Sequence, residues 1–109
     1  EVLRLALMNV LENAVKFSPE KGEISVQMAW KPDALEIRIL NTSELLSHED
    51  LSRIFNPFQR LKGSNIPGSG LGLAISKKAV ERHNGTIEAL NKEKGLEIRI
   101  TLPRGLTAG

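Results

Sequence analysis

The 109-residue chain contains no cysteine, no tyrosine and a single tryptophan. Without cysteine, neither a disulfide framework nor a thiolate metal site can form, and this composition is compatible with a reducing cytoplasm. No apolar run approaches the ~20 residues that a membrane-spanning helix requires, so we expect a cytoplasmic domain that makes no membrane contact of its own. The net charge of +2 mildly favours an anionic ligand and is too small to indicate a nucleic-acid partner.

The length of the chain predicts one compact domain over residues 1–109, because two domains would need more residues. A hydrophobic content of 40% and a charged content of 26% are typical of a soluble globular protein. The chain opens with Glu1 and Val2 rather than with Met or a signal segment. We therefore expect it to be a piece of a longer protein.

Three helices are predicted from the apolar periodicity and from helix-terminating residues. The first spans residues 2–16 and is stopped by Ser18 and Pro19. Ser47 can cap a short helix that runs to about Ile54. The third helix spans residues 71–83, with Leu73 and Ile75 as core candidates, and Gly85 is predicted to form its left-handed C-terminal cap.

Four segments that alternate apolar and polar residues predict strands that are half-buried in the core. They form two predicted hairpins, 24–30 with 35–39 and 86–91 with 96–102. This order of elements predicts the α+β class, as a two-layer sandwich of a mixed, mostly antiparallel sheet with helices packed on one face.

A run of alternate glycines, Gly68, Gly70 and Gly72, comes directly before the third predicted helix. Glycine lets the backbone approach a ligand closely, and the N-terminus of a helix attracts phosphate. No Lys-Ser/Thr pair follows as in a P-loop, and no strand precedes as in a dinucleotide-binding fold. By itself the run is a weak signal, and a glycine-rich loop that binds no phosphate is the more frequent case.

Polar side chains also share one face of the first helix. Offsets of four and three residues bring together Asn9, Asn13 and Lys16. Asparagine is a poor helix former, so two of them inside a helix require an explanation. They are either solvated surface residues, or an amide oxygen for a hard cation beside an ammonium for a phosphate.

Four short motifs in register resemble those of two-component sensor histidine kinases, namely the N box, the F box, the second glycine box and the motif that follows it. In chain order these are Asn13–Pro19, Arg53–Arg60, Pro67–Leu73 and His83–Ile87. The resemblance covers nearly the whole chain. It implies the Bergerat-type ATP-binding fold that these kinases share with DNA gyrase and the mismatch-repair ATPases, with a short strand before the first helix that this chain lacks. That lack would leave a sheet edge or an apolar groove uncovered.

The resemblance implies that the cofactors are ATP and Mg²⁺. Asn13 would be the metal ligand with Asn9 alongside, Lys16 would meet a phosphate, and Arg60 would reach the terminal phosphates from a lid. The nucleotide would also meet Asn41, Phe58 and the backbone of Gly68, Ser69, Gly70, Leu71, Gly72 and Leu73. The same resemblance implies a cytoplasmic kinase domain of a parent that can be membrane-anchored. Its partners would be the parent's phosphoacceptor-histidine domain and, through the parent, a response regulator.

Four positions differ from the patterns of the kinases or of related ATPases. Related ATPases carry a water-activating Glu where this chain has Asn9, and an amide cannot act as a general base. Glu12 is on a different face of the helix, so the resemblance favours phosphoryl transfer over hydrolysis. The adenine-binding Asp is replaced by Asn41, and two glycines that follow it in the family are Ser43 and Leu45 here, where a Cβ could crowd the base.

Two alternatives to the kinase interpretation remain open. One is a degenerate domain that docks a partner and no longer turns over nucleotide, as Ser43 and Leu45 would favour. The other is a hydrolytic ATPase of the wider superfamily. Neither His48 nor His83 lies in the acceptor motif of the kinases, so we expect this chain not to phosphorylate itself, and both histidines to be surface or capping residues.

Overall fold

The computed structural model describes residues 2–43, 45–56, 72–93 and 95–103. Within these residues the predicted helices and strands form with small shifts at their ends. The helices are α1 (Val2–Phe17), α2 (His48–Arg53) and α3 (Gly72–Arg82), and the strands are β1 (Ile24–Trp30), β2 (Ala34–Thr42), β3 (Thr86–Lys92) and β4 (Gly95–Pro103). None of the described helices has the length and apolar character needed to cross a membrane.

The four strands form one sheet in the order β1-β2-β4-β3. Both predicted hairpins are present, and β2 and β4 pair at the centre. All three pairings between the described strands are antiparallel, so the expected parallel component is not seen among them. The α+β, two-layer class is confirmed.

The helices α1 and α3 lie on one face of the sheet and pack against each other. Between them and the sheet lies a single apolar cluster, formed by Val10, Ala14, Ile37, Ile39, Leu73, Val80, Leu96, Ile98, Ile100 and Leu102. The apolar stripe predicted for α1 is the one that faces this cluster. Ser76, which is fully buried, donates a 2.8 Å hydrogen bond from Oγ to the carbonyl oxygen of Ala6 and so joins the two helices.

The opposite face of the sheet carries charged residues. Arg99 donates hydrogen bonds from Nε and Nη2 to Oε2 of the buried Glu97, at 2.9 and 2.8 Å. The hydrogen bond to Glu97 is the main cause that raises the pKa of Arg99 above its usual value, and Glu36 and Glu88 add to it. A buried carboxylate is tolerated here because a bidentate guanidinium compensates its charge.

The predictions for the C-terminal cap of α3 and for the burial of β1 are wrong. The residue with left-handed backbone after α3 is Asn84, with φ of 61°, and not Gly85. The N–H groups of Asn84 and Gly85 donate to the carbonyls of Glu81 and Val80, which is the Schellman arrangement. Gly85 is needed for a different reason, since a Cβ there would lie 2.5 Å from the carbonyl oxygen of Thr101.

The other wrong prediction concerns β1, which was expected to be half-buried. Its alternate apolar residues are exposed, at 39% for Ile24, 51% for Val26, 60% for Met28 and 69% for Trp30. Their partners in β2 include the buried Ile37 and Ile39, so they lie on the face that carries the helices. Among the described residues the helix layer covers β2 and β3, and it leaves this part of β1 open.

Candidate functional site

Three predicted elements meet at one end of the sheet. The residues after α1 lead within a few positions to Glu23, which exchanges hydrogen bonds with Thr42 at the end of β2. The six Cα–Cα steps from Phe17 to Glu23 reach at most about 22 Å, less than the ~24 Å length of a 16-residue helix. The C-terminal half of α1 therefore lies at the end of the sheet where β2 finishes.

The helix α3 runs in the opposite sense, so its first turn lies at this same end. Its last turn is fixed at the far end of the sheet, because Val80 and the carbonyl of Thr101 both lie against Gly85. Gly72 and Leu73 begin the helix, and Leu73 is buried in the core cluster beside Val10 and Ala14. The structure thus brings the second half of α1, the start of α3 and the end of β2 together.

The amide-bearing face of α1 is accessible. Asn9 and Asn13 are half-exposed and Lys16 is exposed. Neither asparagine side chain has a hydrogen-bond partner among the described residues. Free amide oxygens on an accessible helix face suit a hard cation that arrives with its own waters and phosphate oxygens.

The first turn of α3 is suited to an anion. The first four N–H groups of a helix have no partner within the helix, and the dipole places positive charge there. No acidic residue occupies the first turn of α3, so no carboxylate of that turn competes for these groups.

Asn41 lies on the helix-covered face near the end of β2 and is only 2% exposed. Its Nδ2 donates a 3.2 Å hydrogen bond to the carbonyl oxygen of Thr42. Its Oδ1 therefore remains as an acceptor, with no partner among the described residues. Gly95 of β4 pairs with the neighbouring Thr42, and a Cβ on Gly95 would overlap the carbonyl oxygen of Asn41. The close backbone approach at Gly95 thus fixes the position of Asn41.

The chain after β2 turns one leucine outward and the next inward. Leu45 is 66% exposed, whereas Leu46 is half-buried against the core. The side chain of Asn91 in β3 holds the backbone of Leu46 through two hydrogen bonds. The side chain of Leu45 is directed toward solvent. This orientation argues against the expectation that Leu45 crowds the base.

The short helix α2 leads toward the predicted lid. Ser47 caps it as predicted, since its Oγ accepts a 3.0 Å hydrogen bond from the backbone N–H of Asp50. Phe55 packs half-buried against the core, and the ammonium of Lys77 lies 5.8 Å from the centre of its ring. The predicted lid and glycine-box residues beyond, Phe58, Arg60, Gly68, Ser69, Gly70 and Leu71, lie outside the described residues.

The two histidines and one predicted core residue have plain structural positions. His83 donates from Nδ1 to the carbonyl oxygen of Ala79 at 2.9 Å and so caps α3, while His48 is exposed at the start of α2. Ile75 was predicted to be buried and is 42% exposed, because it lies two residues from Leu73 and therefore on the other side of α3.

Among the described residues there is no cluster of three or more His, Cys, Asp or Glu side chains that could hold a metal ion by itself. Asn91 is the residue that sequence reasoning missed. Its partner is 45 positions away, so no local pattern could have indicated the contact.

Comparisons with known proteins agree with this geometry. The sequence profile described as histidine kinase-, DNA gyrase B- and HSP90-like ATPase matches residues 1–106. The sensor protein PfeS of Pseudomonas aeruginosa is 38% identical over 101 residues, which are 93% of this chain and 23% of PfeS. The chain spans less than a quarter of this curated relative.

Solved structures of the same kind share the fold. The mycobacterial sensor histidine kinase MprB superposes with a TM-score of 0.82 at 33% identity, over 91% of this chain and 70% of that one. Full-length ShkA, in complex with AMPPNP, gives a TM-score of 0.77 at 25% identity, over 94% of this chain and 21% of that one. The chain belongs to the family of histidine kinase-, DNA gyrase B- and HSP90-like ATPases, as an ATP-binding catalytic domain of the sensor histidine kinase type.

Proposed function

We propose that this chain binds Mg²⁺-ATP at the end of the sheet where α1, α3 and β2 meet, and presents the terminal phosphate to a histidine on a separate phosphoacceptor domain. The observation that supports the proposal is that the second half of α1, which carries Asn13, and the start of α3, whose first turn has no acidic residue, lie at the same end of the sheet. Full-length ShkA, which contains a domain of the same fold, has been solved in complex with AMPPNP, an ATP analogue.

Different residues are assigned to the metal ion and to the phosphates of the nucleotide. Asn13 would hold Mg²⁺ through its amide oxygen with Asn9 beside it, and the accessible, unpartnered amides fit that role. Bound there, Mg²⁺ would neutralise charge on the phosphates. Lys16 meets a phosphate as a point charge, and the backbone at Gly72 and Leu73 donates to phosphate oxygens.

At the other side of the site, the side-chain oxygen of the buried Asn41 suits the amino group of adenine, because the Nδ2 group of the same amide already donates to the carbonyl of Thr42. From the family resemblance we assign the remaining contacts to the lid and to the glycine box. These residues are Phe58, Arg60, Gly68, Ser69, Gly70 and Leu71.

The site favours transfer to a protein over hydrolysis. Asn9 occupies the position from which a carboxylate would activate water, and an amide cannot accept that proton. Glu12 is exposed on a different flank of α1 from Asn13. The acceptor histidine would belong to the parent kinase, since the Nδ1 of His83 is engaged within α3 and His48 lies in no acceptor motif. We place the chain in the cytoplasm, where a response regulator would receive the phosphoryl group through the parent.

Calorimetric titration with AMPPNP, with and without Mg²⁺, tests binding. We expect Mg²⁺-dependent affinity in the parent sequence and a loss of at least about tenfold in Asn13→Ala, as for the removal of a charge-assisted contact. Gln27→Ala is the matched control, because it removes an exposed amide from β1, away from the site. The absence of Mg²⁺-dependent binding at millimolar nucleotide would refute the proposal.

A transfer assay separates the kinase from its alternatives. With radiolabelled ATP, the phosphoacceptor domain of the parent kinase should become labelled and this chain should not. Steady phosphate release without the acceptor, lost in Glu12→Gln, would instead indicate a hydrolytic ATPase. A sharp gain in affinity in the double variant Ser43→Gly, Leu45→Gly would favour a degenerate docking domain. The outward Leu45 predicts only a small change.

A further inference from the structure

We propose that Asn91 is a positioning residue for the nucleobase end of the site. Its role would be to hold the chain that leaves β2 in place as a wall beside Asn41. The inference rests on the proposed function and extends it to a residue that is distant in sequence and that lies on β3 rather than on any of the three elements that meet at the site.

Asn41 and Asn91 occupy one row across the sheet. Asn41 pairs with Leu96, and Leu96 pairs with Asn91, so the three residues share the face that carries the helices. Two strand spacings separate the asparagines by about 10 Å. Leu96, between them, is 4% exposed and forms part of the core.

The chain that follows Asn41 is fastened to the other end of this row. The backbone N–H of Leu46 donates to Oδ1 of Asn91 at 3.0 Å, and Nδ2 of Asn91 donates to the carbonyl oxygen of Leu46 at 2.8 Å. The chain therefore leaves β2 at Thr42 and is held at β3 four residues later. The inward side chain of Leu46 packs on the core, whereas Leu45 faces solvent.

Asparagine is suited to this contact by its chemistry. Its amide presents one acceptor and a donor group side by side, which matches the N–H and C=O of a single backbone residue. Aspartate at position 91 could accept from Leu46 but not donate to it, and alanine could do neither. The two hydrogen bonds fix the backbone position of Leu46, as pairing with a neighbouring strand would.

Loss of the two hydrogen bonds between Asn91 and Leu46 should affect only the binding of the base. The fastened segment borders Asn41, whereas the proposed phosphate contacts lie on α1 and α3. Release of Leu46 should therefore weaken binding of a complete nucleotide without weakening binding of the phosphate chain. A role in general stability alone would affect both ligands to the same extent.

The test compares AMPPNP with inorganic tripolyphosphate, both with Mg²⁺, by calorimetry on the parent sequence and on Asn91→Ala. We expect AMPPNP to bind about tenfold more weakly to the variant, the equivalent of one or two net hydrogen bonds, with tripolyphosphate unchanged. Amide hydrogen exchange at Leu46 should become faster in the variant. Gln27→Ala, an exposed amide on β1, should change none of these quantities.

Asn91→Asp provides a milder second variant if Asn91→Ala fails to fold, and it should lose part of the AMPPNP affinity. Unchanged AMPPNP affinity in folded Asn91 variants, or an equal loss for both ligands, would overturn the inference while leaving the proposed function intact. Failure of the parent sequence to bind either ligand would instead refute the proposed function itself.

Discussion

The hydroxyl of Ser76 donates a 2.8 Å hydrogen bond to the carbonyl oxygen of Ala6, and both residues are fully buried where α3 packs against α1. The bond joins the two helices that we propose hold the metal and the phosphates. Ser76 lies one turn after the start of α3, and Ala6 lies one to two turns before Asn9 and Asn13. The relative position of the two halves of the site depends on this contact.

Ser76→Ala should lower the stability of the domain by about 1 kcal/mol, because one net buried hydrogen bond is lost. The melting temperature should fall by about 4–8 °C for a domain of this size. Ser52→Ala is the matched control, since it removes a hydroxyl that bonds to the backbone of Glu49 within the exposed α2. Equal melting temperatures for the two variants would show that the contact between α1 and α3 contributes nothing.

The exposed stripe of β1 predicts that the 109-residue chain associates with a second copy of itself. No residue of β1 is charged, whereas the other edge strand, β3, carries Glu88 and Lys92. Charged side chains on edge strands prevent pairing between sheets. An uncharged edge with a row of exposed apolar side chains is therefore open to antiparallel pairing with its copy.

Analytical ultracentrifugation over a range of concentrations measures this association. Met28→Lys, in the centre of the stripe, should shift the population toward monomer. Gln27→Lys adds the same charge to the neighbouring position on the other face of the strand and should have a smaller effect. A chain that stays monomeric at every concentration would contradict the prediction.

Gly95→Ala should be strongly destabilising. The added Cβ would overlap the backbone carbonyl of Asn41, which cannot move without disturbing the pairing of β2 with β4. We expect a loss of about 1–3 kcal/mol or more from overpacking, measured by chemical denaturation, with weaker AMPPNP binding because Asn41 is displaced. Gly22→Ala should cost less, because its Cβ would lie 2.9 Å from the ring and 3.0 Å from the carbonyl oxygen of Pro19, which is a milder contact than the overlap at Gly95. Equal costs would argue against the backbone overlap.

Much of the fold follows from local patterns in the sequence. The stripe of α1, the alternation of the four strands and the cap at Ser47 all depend on residues within a few positions of each other, and all were confirmed. Alternation shows which residues share a face of a strand. It cannot show whether another element covers that face, and for this reason the exposure of β1 was missed.

The candidate site could be predicted only in part, for the same reason. The spacing of Asn9, Asn13 and Lys16 places them on one face of one helix, and a short motif marks the start of α3. That the two regions lie at the same end of the sheet follows from the order of strands and from the antiparallel course of the helices. The contact of Asn91 with Leu46, across 45 positions, has no local signal.

Asn41→Asp tests whether the buried amide of Asn41 contributes only to the stability of the free protein or also contacts the nucleotide. A carboxylate cannot donate to the carbonyl of Thr42, and it would be buried at a position that is 2% exposed. We therefore expect the free variant to be less stable by about 1–3 kcal/mol, the cost of a buried polar group without its partner. A charged acceptor forms hydrogen bonds about twice as strong, so AMPPNP with Mg²⁺ should raise the melting temperature more in Asn41→Asp than in the parent sequence. Asn56→Asp adds the same charge at an exposed position and serves as the control. If nucleotide stabilises Asn41→Asp no more than Asn56→Asp, Asn41 does not contact the base.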